Sequence, residues 1–146
     1  MEKAQKLKSF SLIDTALVGM MAAFICVCSL ITIPGPVPFT MQLFGVYCAL
    51  GFLGGRNGTL SVVIYILLGL VGLPVFAGFK SGPGTLFGAT GGYIFGFAVA
   101  GLVYWLLNSL LGEKLYFKFL SMLLSLLVCY ATGTAWFVFI YWRNVE

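Results

Sequence analysis

The chain contains no histidine, and only four of its 146 residues are acidic. The first absence removes histidine-based catalytic triads and most zinc sites. The second removes more, because Glu2, Asp14, Glu113 and Glu146 all fall at the ends of apolar runs or in turns. No two carboxylates share a run, so a buried proton relay or a metal-dependent membrane enzyme has no acid–base pair to work with. Charge of either sign is scarce: Asp, Glu, Lys and Arg together make up 8% of the chain, against roughly 25% in a soluble domain. So few charges cannot cover a water-facing surface. Gly-x-Ser-x-Gly is missing, and Gly82-Pro83-Gly84-Thr85 lacks the Lys-Ser/Thr that completes a P-loop. Acid–base, metal and nucleotide chemistry are therefore set aside, and binding remains. No catalytic residue, metal site or cofactor is expected.

Cysteine is present but in no reactive pattern. Cys26, Cys28, Cys48 and Cys129 all lie inside apolar runs. Cys26-x-Cys28 puts its thiols about 200° apart on a helix, and it is not C-x-x-C, so the four read as small buried hydrophobes.

What the chain has in quantity is apolar length. Hydrophobic residues make up 61% and the mean hydropathy is +1.08, which predicts an all-α integral membrane protein forming one transmembrane domain over 1–146. Five spans are expected, at about 14–33, 41–53, 59–75, 89–111 and 116–142. Lys3, Lys6 and Lys8 ahead of the first run look like a signal-peptide start, but that run is too long for an h-region and more spans follow. Asp14 suits the N-terminus of the first helix. Pro34, Pro36 and Pro38 make a stiff loop after it, and Gly54-Gly55-Arg56-Asn57-Gly58 is a tight turn between the second and third spans.

The eight Lys and Arg are scattered singly at the ends of runs. That is the distribution of topology signals, not of a nucleic-acid patch. An inside N-terminus puts Lys3, Lys6, Lys8, Arg56, Lys114 and Lys118 on one side, with Lys80 and Arg143 opposite, in agreement with the positive-inside rule.

Two stripes of small residues permit close helix contact. Thr15, Gly19 and Ala23 lie on the first span, where internal packing and a partner surface are both open readings. Gly88, Gly92 and Gly96, extended by Ala100, lie on the fourth.

The candidate site lies on the outer loops. From Gly72 to about Gly88 the chain reads as neither helix nor strand, and it holds Lys80, the sole Lys or Arg between Arg56 and Lys114. Thr40, Gln42, Thr85, Thr90 and Tyr93 add polar atoms, the glycine turns (Gly91 and Gly92 among them) add backbone amides, and several phenylalanines flank them. This inventory suits a small, mostly apolar ligand with a few polar atoms. Lys80 can meet an acid on such a ligand or be a solvated loop charge. Gln42 can face the ligand or serve as a hydrogen bonder at a helix start.

These residues also carry a family resemblance. Ile33-Pro34 with Pro36-Val37-Pro38-Phe39-Thr40-x-Gln42, Gly54-x-Arg56-x-Gly58 with Ser61 and Tyr65, Gly69-x-x-Gly72-Leu73-Pro74-Val75-Phe76 and Gly88-x-Thr90-Gly91-Gly92-Tyr93-x-x-Gly96 follow in order. Tyr130-x-x-Gly133-Thr134-x-Trp136 extends the match more loosely. The sequence resembles BioY, the biotin-binding S component of energy-coupling factor (ECF) transporters. The resemblance implies a six-helix S-component bundle in a prokaryotic plasma membrane, of which five spans are seen here. It implies biotin bound at the outer face by Thr40, Gln42, Lys80, Thr90, Gly91, Gly92 and Tyr93. It also implies a membrane scaffold subunit and two cytoplasmic ATPases as partners, the scaffold lying against Ala16, Gly19 and Ala23. Two departures stand out. Ala89 replaces a proline that family members commonly carry, and the sixth helix, with its Gly-Asp pair and lysine, is not found, so the chain reads as C-terminally truncated. Alternatives are an S component for another small vitamin or a biotin precursor, and a pore or assembly protein using the glycine loop as a selectivity element.

Overall fold

The computed structural model describes residues 11–35, 39–112 and 114–145, and its first helix starts where Ser11 and Asp14 cap each other. Ser11 Oγ accepts from the Asp14 amide at 3.2 Å, and Asp14 Oδ2 accepts from the Ser11 amide at 3.2 Å. This capping box satisfies two orphan amides at the start of α1 (Leu12–Leu30). Val18, Ala22, Ile25 and Ser29 form the buried face of α1, and Thr15, Ala16, Gly19 and Ala23 are exposed away from it. The cationic lead-in with Lys3, Lys6 and Lys8, the heart of the proline loop at 36–38, and Glu113 lie outside the described residues.

One short strand pair stands between the helices after α1. Pro34 holds the residue before it in an extended conformation. Thr32–Ile33 accordingly form β1, paired antiparallel with β2 (Phe39–Thr40), with Thr32 opposite Thr40.

The next helix, α2 (Gln42–Val71), turns back on itself at Gly54, whose φ of 81° and ψ of 175° suit glycine. The reversal is plain from one contact. In a straight helix Gln42 and Tyr65 would stand about 34 Å apart, yet Gln42 Nε2 lies 2.8 Å from the Tyr65 hydroxyl. The two limbs, 42–53 and 55–71, overlap the stretches where the second and third spans are expected. The expected five-residue turn contracts to Gly54 alone, and the helix stops at Val71, short of the expected end at about 75.

The segment expected to lack regular structure contains some. Phe76 and Lys80 form an isolated antiparallel bridge, closed over Gly78 (φ 73°) and Phe79 (φ 58°), and α3 (Pro83–Leu86) follows. Then come α4 (Gly91–Leu111) and α5 (Leu115–Val145), both close to their expected bounds.

Helix α4 is the spine. Its glycine stripe faces α5, where a Cβ on Gly96 would stand 3.0 Å from the Cys129 carbonyl oxygen and one on Gly92 would overlap Trp136. Trp136 Nε1 also donates to the Gly88 carbonyl at 2.9 Å. The buried core runs through Ile25, Val46, Leu50, Val62, Tyr65, Phe97, Ala100 and Tyr104. Among the described residues four helices are long and apolar enough to cross a membrane, and the fold-back at Gly54 makes them five rods. The thiols fit the expected role of packing groups: Cys28 and Cys129 are buried, Cys26 and Cys48 half-buried, and all four are free.

Candidate binding site

A cavity of about 730 Å³ opens at the end of the bundle that carries β1–β2 and the glycine-rich loop. Small-molecule sites usually fall between roughly 300 and 1,000 Å³. Its polar end is built from four segments: Thr40 of β2, Gln42 at the start of α2, Lys80 and Thr85 of the loop, and Thr90 and Tyr93 at the start of α4. Below them the wall is apolar. Leu43 and Phe44 line one side, Ile94 and Phe97 the back, and Phe119, Met122, Leu123 and Leu126 of α5 the other side. Tyr47 and Tyr130 add hydroxyls, and Tyr47 reaches Ser125 Oγ at 3.1 Å, tying the first limb of α2 to α5.

Local structure explains how each polar group is seated. The Phe76–Lys80 bridge, with the Phe76 amide donating to the Lys80 carbonyl at 3.1 Å, pins the backbone beneath an exposed lysine side chain. Thr85 Oγ1 donates to the Ser81 carbonyl at 3.0 Å, holding α3 to the loop before it. Thr90 is the N-cap of α4 but makes no capping bond with its side chain, so its hydroxyl is left to the cavity. Gln42 is buried, and its amide nitrogen donates to Tyr65, whose hydroxyl donates in turn to the Val75 carbonyl at 3.0 Å. Ser29 Oγ is bonded to the same carbonyl. This knot ties the end of α1, both limbs of α2 and the start of the glycine-rich segment beside the cavity.

Five of the seven residues expected to hold a ligand therefore meet on one cavity: Thr40, Gln42, Lys80, Thr90 and Tyr93. Gly91 and Gly92 are not in its lining. Gly91 packs on the Leu86 carbonyl and Gly92 on Trp136, so both are close-approach positions that seat the residues beside them. Ala16, Gly19 and Ala23 lie on the exposed face of α1, apart from the cavity. The apolar wall was missed. Residues 119, 122, 123, 126 and 130 share one helical face, but α5 is apolar nearly all round, so a lining face and a lipid-facing one look alike. A second hollow of about 440 Å³, lined by Thr32, Pro34, Gly35, Gly78 and Gly84, shares Lys80, Thr85 and Thr90 with the first. It forms a vestibule at the same end.

Long apolar helices around a cavity of small-molecule size, open at one end, define the class as a polytopic membrane protein with a ligand-sized pocket. The sequence matches the family model of the BioY family over residues 1–145, and the chain belongs to that family. It is 52% identical over 90 residues to the "Biotin transporter BioY" of Thermotoga maritima, covering 61% of this chain and 53% of that protein. With the "Biotin transporter BioY2" of Lactococcus lactis subsp. cremoris it shares 36% over 137 residues, 92% of this chain and 73% of the relative. Among solved structures it is similar to the S-component for biotin from an ECF-type ABC transporter, at 27% identity and a TM-score of 0.81, over all of this chain and 78% of the other. The match thus spans about half the length of the Thermotoga protein. The S-component fold implied by the sequence motifs is the fold observed, and the family is one of transport proteins, not of enzymes.

Proposed function

We propose that this chain captures biotin in the 730 Å³ cavity as the substrate-binding subunit of an ECF importer. The observation that carries the reading is the division of the cavity, with six polar side chains at the loop end and an apolar wall beneath. Biotin is divided in the same way. Its valerate carboxylate is ionised near neutral pH, its ureido ring offers N–H donors and a carbonyl, and the rest is apolar. Lys80 meets the carboxylate at the mouth, and Gln42, deeper and buried, meets the ureido ring. Relatives described as biotin transporters, and the similar S-component for biotin, support this choice of ligand.

Energy must come from elsewhere, because the sequence carries no P-loop. In this reading a scaffold subunit docks on the exposed small face of α1 at Ala16, Gly19 and Ala23, and two cytoplasmic ATPases drive transport. The five rods cross the plasma membrane of a prokaryote, with the N-terminus cytoplasmic and the cavity facing out. In a variant lacking the native cysteines, an impermeant maleimide on intact cells should label cysteine at 80 and spare cysteine at 57; the reverse pattern overturns the orientation.

Titration of the purified chain in detergent with labelled biotin tests the ligand. Saturable one-to-one binding that unlabelled biotin displaces is expected. No saturable binding would overturn the assignment.

A further inference from the structure

The amide of Gln42 can sit in the cavity in two ways, presenting either its oxygen or its NH2 group. The neighbouring hydrogen bonds decide between them. The Tyr65 hydroxyl lies 3.0 Å from the Val75 carbonyl oxygen and 2.8 Å from the Gln42 amide. A carbonyl only accepts, so the single proton of Tyr65 goes to Val75. The Tyr65 oxygen is then an acceptor, and Gln42 must turn its NH2 group toward it. What remains is Gln42 Oε1, which has no hydrogen-bond partner among the described residues. Nor is it sealed off, because the one buried, partnerless side-chain atom among those residues is Asn108 Oδ1. Gln42 lines the cavity, so an acceptor faces the ligand.

Tyr65 does not line the cavity itself. It is fully buried, and its ring packs edge-on to Phe76 with centroids 5.7 Å apart, so the hydroxyl has little room to swing.

We propose that Tyr65 is a positioning residue that fixes which way the Gln42 amide points, and that the cavity in consequence selects a ligand carrying an N–H donor at that point. The proposal rests on the biotin reading, in which the donor is a ureido N–H.

The test compares biotin with biotin methylated on both ureido nitrogens, each titrated against wild type and Tyr65→Phe. Phenylalanine keeps the ring and its contact with Phe76 but removes the hydroxyl, so the amide is free to turn. Any steric cost of the methyl groups is common to both proteins and cancels in the cycle. A neutral hydrogen bond is worth about 1 kcal/mol, so Tyr65→Phe should shrink the preference for biotin over the analogue by about three- to tenfold. A purely structural role would weaken both ligands equally and leave the preference intact, which would overturn the proposal. Gln42→Met gives an independent reading should Tyr65→Phe fail to fold. It removes the acceptor outright, and an undiminished preference in that variant would also overturn the proposal. Wild type that binds neither ligand would refute the biotin reading, and the proposal with it. Wild type that binds biotin while Tyr65→Phe keeps the full preference would refute only the role of Tyr65.

Discussion

Helices α1 and α4 carry the same pattern of small residues four apart, and the bundle uses it in opposite ways. On α4 the stripe is consumed inside the chain: Gly92 and Gly96 are buried against Trp136 and Cys129 of α5. On α1 the equivalent stripe looks outward, and a Cβ on Gly19 would meet nothing within 4 Å. Small-x-x-x-small spacing permits two backbones to approach but does not name the second backbone. What decides is the material opposite. The long helix α5 follows α4 in the chain and packs back on it, whereas the buried face of α1 is already taken up by α2 through Val18, Ala22 and Ile25. In the proposed reading the outward stripe is where the scaffold subunit docks, whereas the inward one is filled by α5.

This contrast can be broken from either side. The largest effect is expected at Gly92. Leucine there has to displace the base of the Trp136 side chain, close to the backbone of α5, and overpacking of this kind costs about 3 kcal/mol. The midpoint of thermal unfolding in detergent should fall, and biotin binding should fall with it, because Thr90 and Tyr93 are seated by the same seam. An unchanged midpoint would mean that α4 and α5 do not meet this closely. The smallest effect on stability is expected from Gly19→Leu, within about 0.5 kcal/mol of wild type as for other exposed positions, with biotin affinity unchanged. Co-purification of the scaffold subunit should nevertheless drop sharply. Full recovery of the scaffold with Gly19→Leu would remove α1 as the docking face.

Much of this architecture could be read from residue types alone, since proline, glycine and runs of apolar residues act locally. The break in the glycine turn at Gly54, the start of α1 within two residues of Asp14 and the close approach along Gly92 and Gly96 are of that kind, though not which helix makes that approach. So is the gathering of Thr40, Gln42, Lys80, Thr90 and Tyr93, polar residues stranded at one end of an otherwise greasy chain. The features that escaped depend on tertiary partners. Met122, Leu123 and Leu126 line the cavity because α5 leans past the first limb of α2, and nothing in an evenly apolar helix marks that face. Gln42 was open between two roles and has a third feature, a bond to Tyr65 twenty-three positions away that exists because α2 folds back. The β1–β2 pair and α3 are too short for any periodicity to register.

The central claim is that the cavity takes biotin with its carboxylate toward the mouth, at Lys80. Biotin and biotin amide, which lacks the charge, titrated against wild type and Lys80→Ala, isolate that contact in one double cycle. An ion pair at a half-solvated mouth is worth about 1 kcal/mol, or roughly fivefold in affinity. Lys80→Ala should therefore weaken biotin several-fold and biotin amide much less. Equal weakening of the two ligands, or none of either, would contradict the assignment and pass the carboxylate to Tyr93, Thr90 or the loop amides.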